Sequence, residues 1–403
     1  MKIAVITPYY QESIETLRQC HLSVINQNID IEFTHFLIAD GYPQQEIDSW
    51  NAKHIVLPTA HDDNGNTPRG LGGLLAKIEG YDFIAYLDAD NWYYENHLQT
   101  MFTKWKETHF PVICSFRTFH HENGENLYIE EATENSLDHV DTSCFFLHKS
   151  CFDLLQIWLD MPKILGPICD VIFFSAIKNK KYRFCSTKLR TVAFRSKYLS
   201  HYFNLNSAPP LNLKSESEFI PALNFLRSKD GNSECSEKLG FRPLDYLHFY
   251  KILFVSKRNS VLCDMANLFA STLSNRKFIG YSMIEQQATT FNPHLQKIVD
   301  ELGYSNGHML CNHLKEYKIN EEINFDYAVN LCEDSSEEMP ALPNDSVKLI
   351  NWNVEFLSQK DLNNQLDFEE AMSIVHLKIW EMISLPNDKI SLDSIATALN
   401  RPN

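Results

Sequence analysis

The chain has no CxxC pair among its ten cysteines, no apolar run of membrane-spanning length free of charges, and no excess of basic residues. Each absence removes a class of function. Scattered cysteines, several inside apolar runs such as PVICSF and TSCFFL, argue against a zinc site and read as buried thiols of a reducing compartment. Lys+Arg 36 against Asp+Glu 52 leaves a net charge of −16, which argues against a generic nucleic-acid or anionic-membrane surface. The opening MKIAVITPYY is too short, and too soon broken by Pro8, for a secretory signal. No stretch reads as a membrane span. The expected location is therefore the cytoplasm. What is present is apolar mass: 403 residues, 44% of them hydrophobic and 26 of them Phe, are enough for two or three domains with sizeable cores.

The stretch that organises the rest is YDFIAYLDADNW, Tyr81 to Trp92. Its apolar run FIAYL reads as a strand covered on both faces, ending in Asp88 and Asp90 at i and i+2. Two carboxylates so spaced on a tight turn can share a hard divalent cation, Mn²⁺ or Mg²⁺, that keeps positions open for phosphate oxygens. Taken alone, the same residues are ordinary turn chemistry. Ahead of them, Lys2–Thr7 reads as a strand closed by Pro8-Tyr9-Tyr10, Ser13–Gln27 as a helix, and Thr34–Ala39 and His54–Leu57 as strands. A polar segment, HDDNGNTPRGLGG, then leads into another helix. Strands alternating with helices predict an α/β fold with a mostly parallel sheet, and ligands of such sheets gather beyond the strands' carboxyl ends.

The ordered set ITPYYQE, LIADGYP, the Arg69 segment and YLDADN resembles a family 2 glycosyltransferase of the GT-A fold, from Lys2 to about Pro210. The resemblance implies that Pro8, Tyr9 and Glu12 shape a nucleotide pocket. It implies that Asp40 accepts a hydrogen bond from the base, and that Arg69 lies near the base or phosphates. Asp88 would contact the ribose and Asp90 the metal. His61, Asp62, Asp63 and Asn64 depart from the family's commoner wording and either touch the nucleotide or cap the next helix. Asp141 in VDTS faces the acceptor side or merely starts a strand. Asp170, before the apolar run VIFFSAI, resembles the base that deprotonates the acceptor hydroxyl, against a plain helix N-terminal aspartate. Beyond Thr191, the family's closing segment suggests His201 as a further metal ligand and Arg195 and Lys197 as phosphate contacts. The donor so implied is a nucleotide-sugar, with a UDP-sugar favoured, and the acceptor a glycan or protein hydroxyl.

Residues 211–245 read as a linker or docking region with at least one short helix, EFIPALNFLRS. From Leu247 the pattern HFYKILFVSKRNSVLCDMANLFAST gives strand, loop and helix. It is similar to low-molecular-weight tyrosine phosphatases and arsenate reductases, whose loop runs from a nucleophilic Cys to Arg-Ser. At those positions stand Ser256, Leu262 and Cys263, with Asn259 and Ser260 retained inside. Cys332 matches a redox cysteine of the reductases, Met339-Pro340 replaces the second, and no Asp-Pro follows LINWNVEF. A hydroxyl without an adjacent base is a weak nucleophile, and Leu262 cannot donate to a phosphoryl group. The expected domains are thus 1–210 (GT-A), 211–245 (linker), 246–383 (a catalytically dead phosphatase-like α/β domain) and 384–403 (tail). The C-terminal domain would bind a partner or form a homodimer, and the pairing of domains suggests a bacterial source. Two other readings stand beside the metal-dependent, inverting transferase: a scaffold in which both domains only bind, and a residual phosphatase or arsenate reductase.

Overall fold

The computed structural model describes residues 1–129, 139–197, 202, 219–247, 250–256, 260–273, 278–284, 292–301, 325–331, 347–352, 354, 357 and 360–384. Two compact units divide the chain. The first comprises Met1–Glu130, Leu137–Lys197 and Glu218–Leu247; the second comprises Glu131–Ser136, Tyr198–Ser217 and His248–Asn403.

In the first unit the elements run β1 (Lys2–Tyr9), α1 (Ile14–Ile25), β2 (Glu32–Asp40), β3 (Lys53–Leu57), α2 (Asn66–Ile78), β4 (Phe83–Tyr86) and β5 (Trp92–Tyr93). There follow α3 (His97–Thr108), β6 (Val112–His120), β7 (Phe145–His148), α4 (Gln156–Asp160), α5 (Cys169–Asn179), β8 (Phe184–Arg195), α6 (Phe219–Arg227) and α7 (Lys229–Leu239). The eight strands form one sheet in the order β3-β2-β1-β4-β7-β6-β8-β5. Strands β3, β2, β1 and β4 are mutually parallel, whereas β7 runs antiparallel to β4 and β6, and β5 antiparallel to β8. The sheet is therefore mixed but mostly parallel, as the sequence pattern predicted. Ile3, Val5 and Ile6 of β1 are fully buried, which is why that strand is an unbroken apolar run.

Two boundaries differ from the sequence reading. PRGLGG belongs to α2 itself rather than to a polar lead-in, because its glycines let the helix press on its neighbours. A Cβ at Gly72 would meet Ile38 Cδ1 at 2.1 Å and Ile6 Cγ2 at 2.9 Å. Of the 211–245 stretch, read as a linker or docking region with at least one short helix, residues 219–239 supply α6 and α7, whose Ala222, Leu226, Cys235 and Leu239 join the first unit's core. Helix α7 is polar in composition and buries Gly231, Cys235 and Leu239, whereas α6 is largely apolar and buries Ala222 and Leu226.

The second unit contains β9 (Tyr250–Ser256), α8 (Ser260–Leu273), β10 (Phe278–Ile284), α9 (Pro293–Glu301), β11 (Tyr327–Asn330), β12 (Lys348–Asn351) and α10 (Gln365–Ser384). Its four strands are parallel, in the order β10-β9-β11-β12. Helix α10, expected from the apolar spacing after Phe368, packs on α8, with His376 edge-on to Phe269 at 5.2 Å. Among the described residues no helix is long and apolar enough to cross a membrane.

Candidate active site

The carboxyl ends of β1, β2 and β4 lie side by side, with Pro8 opposite Ile38 and Tyr9 opposite Ala39 in the parallel register. They deliver Pro8 and Tyr9, Asp40, and the Asp88–Asn91 turn to one edge of the sheet, where an open α/β sheet takes its ligand.

Asp40 is buried, and its carboxylate accepts from the His61 backbone N–H at 3.0 Å and from His61 Nδ1 at 2.6 Å. Of the polar cluster, then, His61 holds Asp40. Asp63 caps α2, its Oδ2 accepting from the Thr67 N–H at 2.8 Å. Tyr9 is buried and heads a relay: its hydroxyl accepts from the Gln44 N–H at 3.0 Å and meets His54 Nε2 at 2.6 Å. His54 Nδ1 in turn lies 2.6 Å from Asp48 Oδ1. Glu12 accepts from the Tyr10 N–H at 2.7 Å, which fixes the turn between β1 and α1.

Arg69 is the cation of the site. It is 3% exposed, rises from the first turn of α2 and lies over the Trp158 ring, 4.8 Å from its centroid. Trp158 is itself clamped, stacked on Phe173 at 4.2 Å and donating from Nε1 to the Tyr86 hydroxyl at 3.0 Å. Arg69 Nη2 donates to Asp88 Oδ1 at 2.8 Å, and Nη1 reaches the Asn64 carbonyl and Asn66 Oδ1 at 3.4 and 3.3 Å. Its Nε has no hydrogen-bond partner among the described residues. Burial pushes the Asp88 carboxyl up to about 6; Arg69 opposes the rise, while the charges of Asp141 and Asp90 add to it.

Asp90 Oδ2 lies 2.9 Å from Lys197 Nζ. Partial burial pulls the Lys197 ammonium down, but Asp90 and Glu12 outweigh it and hold the group charged. The turn is braced from below by Ser143, whose Oγ accepts from the Asp88 N–H at 3.1 Å and from Asn91 Nδ2 at 3.0 Å. Asn91 Oδ1 accepts from the Arg195 N–H at 3.0 Å.

Asp170 sits in the first turn of α5. Its Oδ2 pairs with His139 Nε2 at 2.7 Å, and its Oδ1 accepts from the Val171 N–H at 2.8 Å. Asp141 is buried, ion-paired to Arg117, and accepts from the Ser143 N–H at 2.9 Å. Burial raises its carboxyl, Arg117 opposes, and the charge of Asp170 adds to the rise. Asp88, Asp90, Asp141 and Asp170 thus share one electrostatic neighbourhood. His139 and Ser143 carry no sequence motif, and neither was singled out from the sequence. His201 and Asn259 lie outside the described residues, as do Cys332, Met339 and Pro340.

In chemical terms, Asp88 and Asp90 offer hard oxygen ligands on one partly exposed turn. Among the described residues no group of three His, Cys, Asp or Glu side chains forms a closed cage. That donor set fits a cation that completes its shell with phosphate oxygens and water. In the second unit, Ser256 ends β9 fully buried, and Leu262 is fully buried in α8.

Comparison with known proteins gives a family for part of the chain. Glycosyl transferase family 2 matches residues 4–153. That span covers Pro8, Tyr9, Glu12, Asp40, Arg69, Asp88 and Asp90, and ends before Asp170. No curated protein matches the sequence. Among solved structures, S. aureus TarS 1–349 in complex with UDP is similar at 15% identity and TM-score 0.38, over 68% of this chain and 81% of that one. S. aureus TarS 1–349 in complex with UDP-GlcNAc is similar at 16% identity and TM-score 0.38, over 59% and 72%. Likeness at that level supports no statement about this site or its substrate. The family match stands by itself: residues 4–153 are similar to glycosyl transferase family 2.

Proposed function

We propose that the first unit moves a sugar from a nucleotide-sugar, a UDP-sugar being the favoured donor, to a hydroxyl of a glycan, polysaccharide precursor or protein, with inversion and with help from Mn²⁺ or Mg²⁺. The observation that carries this is the convergence of Asp88 and Asp90 at the end of β4 with Arg69 beneath them and Asp170 within electrostatic reach. Asp170 takes the proton of the acceptor hydroxyl as its oxygen attacks the anomeric carbon, and the bond from that carbon to the diphosphate breaks. Arg69 supplies fixed positive charge near the departing diphosphate. A divalent cation on Asp90 and Asp88 would neutralise the rest of that charge. Asp40 serves base recognition in this reading, with His61 holding the carboxylate in place.

Asp90→Ala is expected to remove divalent-cation-dependent nucleotide binding while leaving the fold intact, since a turn carboxylate carries little core packing. Thermal shift of both proteins with UDP, GDP, dTDP and CMP, each with and without Mn²⁺, measures this. Equal shifts in wild type and variant would end the assignment of Asp90 to the metal.

The second unit we read as a phosphatase-like fold without the reaction, retained as a binding or dimerisation module. A parallel sheet whose strand β9 is followed by α8 supports this, as does Leu262, an apolar side chain fully buried where the related enzymes carry arginine. The full chain is expected to leave para-nitrophenyl phosphate unhydrolysed. Robust turnover that Ser256→Ala abolishes would restore the catalytic reading.

A further inference from the structure

The two carboxylates of the Asp88–Asn91 turn are neutralised by cations of different character. Arg69 is rooted in α2, buried, stacked on Trp158 and hydrogen-bonded at both terminal nitrogens. It cannot leave without unpacking the core around it. Lys197 follows β8, is one-third exposed, and meets Asp90 end-on at 2.9 Å through a single nitrogen. Its place is set two residues earlier. The Arg195 N–H donates to Asn91 Oδ1 at 3.0 Å, and Arg195 Nη2 donates to Gln19 Oε1 at 2.6 Å. Arg195 therefore ties the strand end to the same turn, and Lys197 is delivered to Asp90 by that anchor. An ammonium on a flexible stem is a point charge that can be exchanged, unlike a stacked guanidinium.

We propose that Lys197 is the resident counter-ion of Asp90, and that a divalent cation binds this turn in competition with it. The inference rests on the reading of Asp90 as a metal ligand. With the cation on Asp90, the displaced ammonium is left beside the turn, free to pair with a phosphate oxygen. Lys197 is then a positioning and charge-balancing residue of the donor site.

The test uses Mn²⁺ alone, titrated into the full chain and followed by electron paramagnetic resonance of the free ion, so that no substrate need be known. Lys197→Met is expected to tighten Mn²⁺ binding by roughly fivefold or more, the scale of removing one competing charge from a partly exposed carboxylate. Lys197→Arg, which keeps the charge, is expected to stay near wild type, and Asp90→Ala in either background to lose the site. Equal Mn²⁺ affinity in wild type and Lys197→Met overturns the proposal, as does absence of binding in both. Circular dichroism at matched temperatures separates a misfolded variant, and Lys197→Gln then replaces it. Tighter Mn²⁺ binding without affinity for any nucleotide upholds the competition and sinks the transferase reading, so the two failures are distinguishable.

Discussion

Asp170→Asn is expected to cut sugar transfer roughly a hundredfold or more while donor affinity stays within about twofold, the usual scale for loss of a general base. The geometry separates the two effects. Asp170 stands on α5, a different element from the strand ends that carry Asp40 and Asp88, so its replacement leaves the backbone holding the donor groups unchanged. His139 Nε2 and the Val171 N–H hold its two oxygens and fix the direction in which the carboxylate faces. Asparagine preserves the volume but presents a nitrogen that cannot take that proton. Asp141 is a poor substitute base, because it is buried in an ion pair with Arg117 and caps the turn that holds the Asp88 N–H. Single-turnover transfer, with donor affinity measured separately, decides the matter. Unchanged turnover in Asp170→Asn would move the base elsewhere.

How far the sequence could be read depended on how local each signal was. Asp88, Asp90 and the strand before them sit within a few residues of one another, so the motif and its placement on a strand end were legible together. The Asp40 strand end was legible for the same reason. Arg69 was found by motif, but not the reason it can be buried: Trp158 lies far along the chain and becomes its floor only when α4 packs against α2. His139 stands 31 residues from Asp170 and meets it only in the fold. The Lys197 contact with Asp90 joins residues distant in the sequence, and the sequence had assigned that lysine only to phosphate. Residues 211–245 read as a linker or docking region with at least one short helix; which positions of α6 and α7 join the core, such as Ala222 and Leu226, depends on long-range packing that composition cannot weigh.

Arg69→Met should be the most destabilising single change at the site, costing about 3 kcal/mol or more, because it leaves a partly buried carboxylate with no counter-charge. Methionine keeps apolar contact over Trp158, so the loss reports charge rather than a cavity. For a unit of this size that corresponds to a fall in Tm of about 6 °C or more. The pH dependence supplies the check. The Asp88 carboxyl already sits at about 6 with Arg69 beside it, and removing the arginine pushes it higher still. A carboxyl raised in the folded state above its unfolded value takes up its proton in the folded state first. Its unfavourable contribution is therefore fully present at alkaline pH and relieved as pH falls through the folded pKa. The stability deficit of Arg69→Met against wild type should thus shrink between pH 8 and pH 5, and Asp88→Asn added to it should recover part of the loss at pH 8. Nucleotide affinity should not return in the double variant, because the charge facing the diphosphate is still missing. A deficit that stays constant with pH would mean that Arg69 stabilises the unit through packing on Trp158 alone, and that its pairing with Asp88 contributes little.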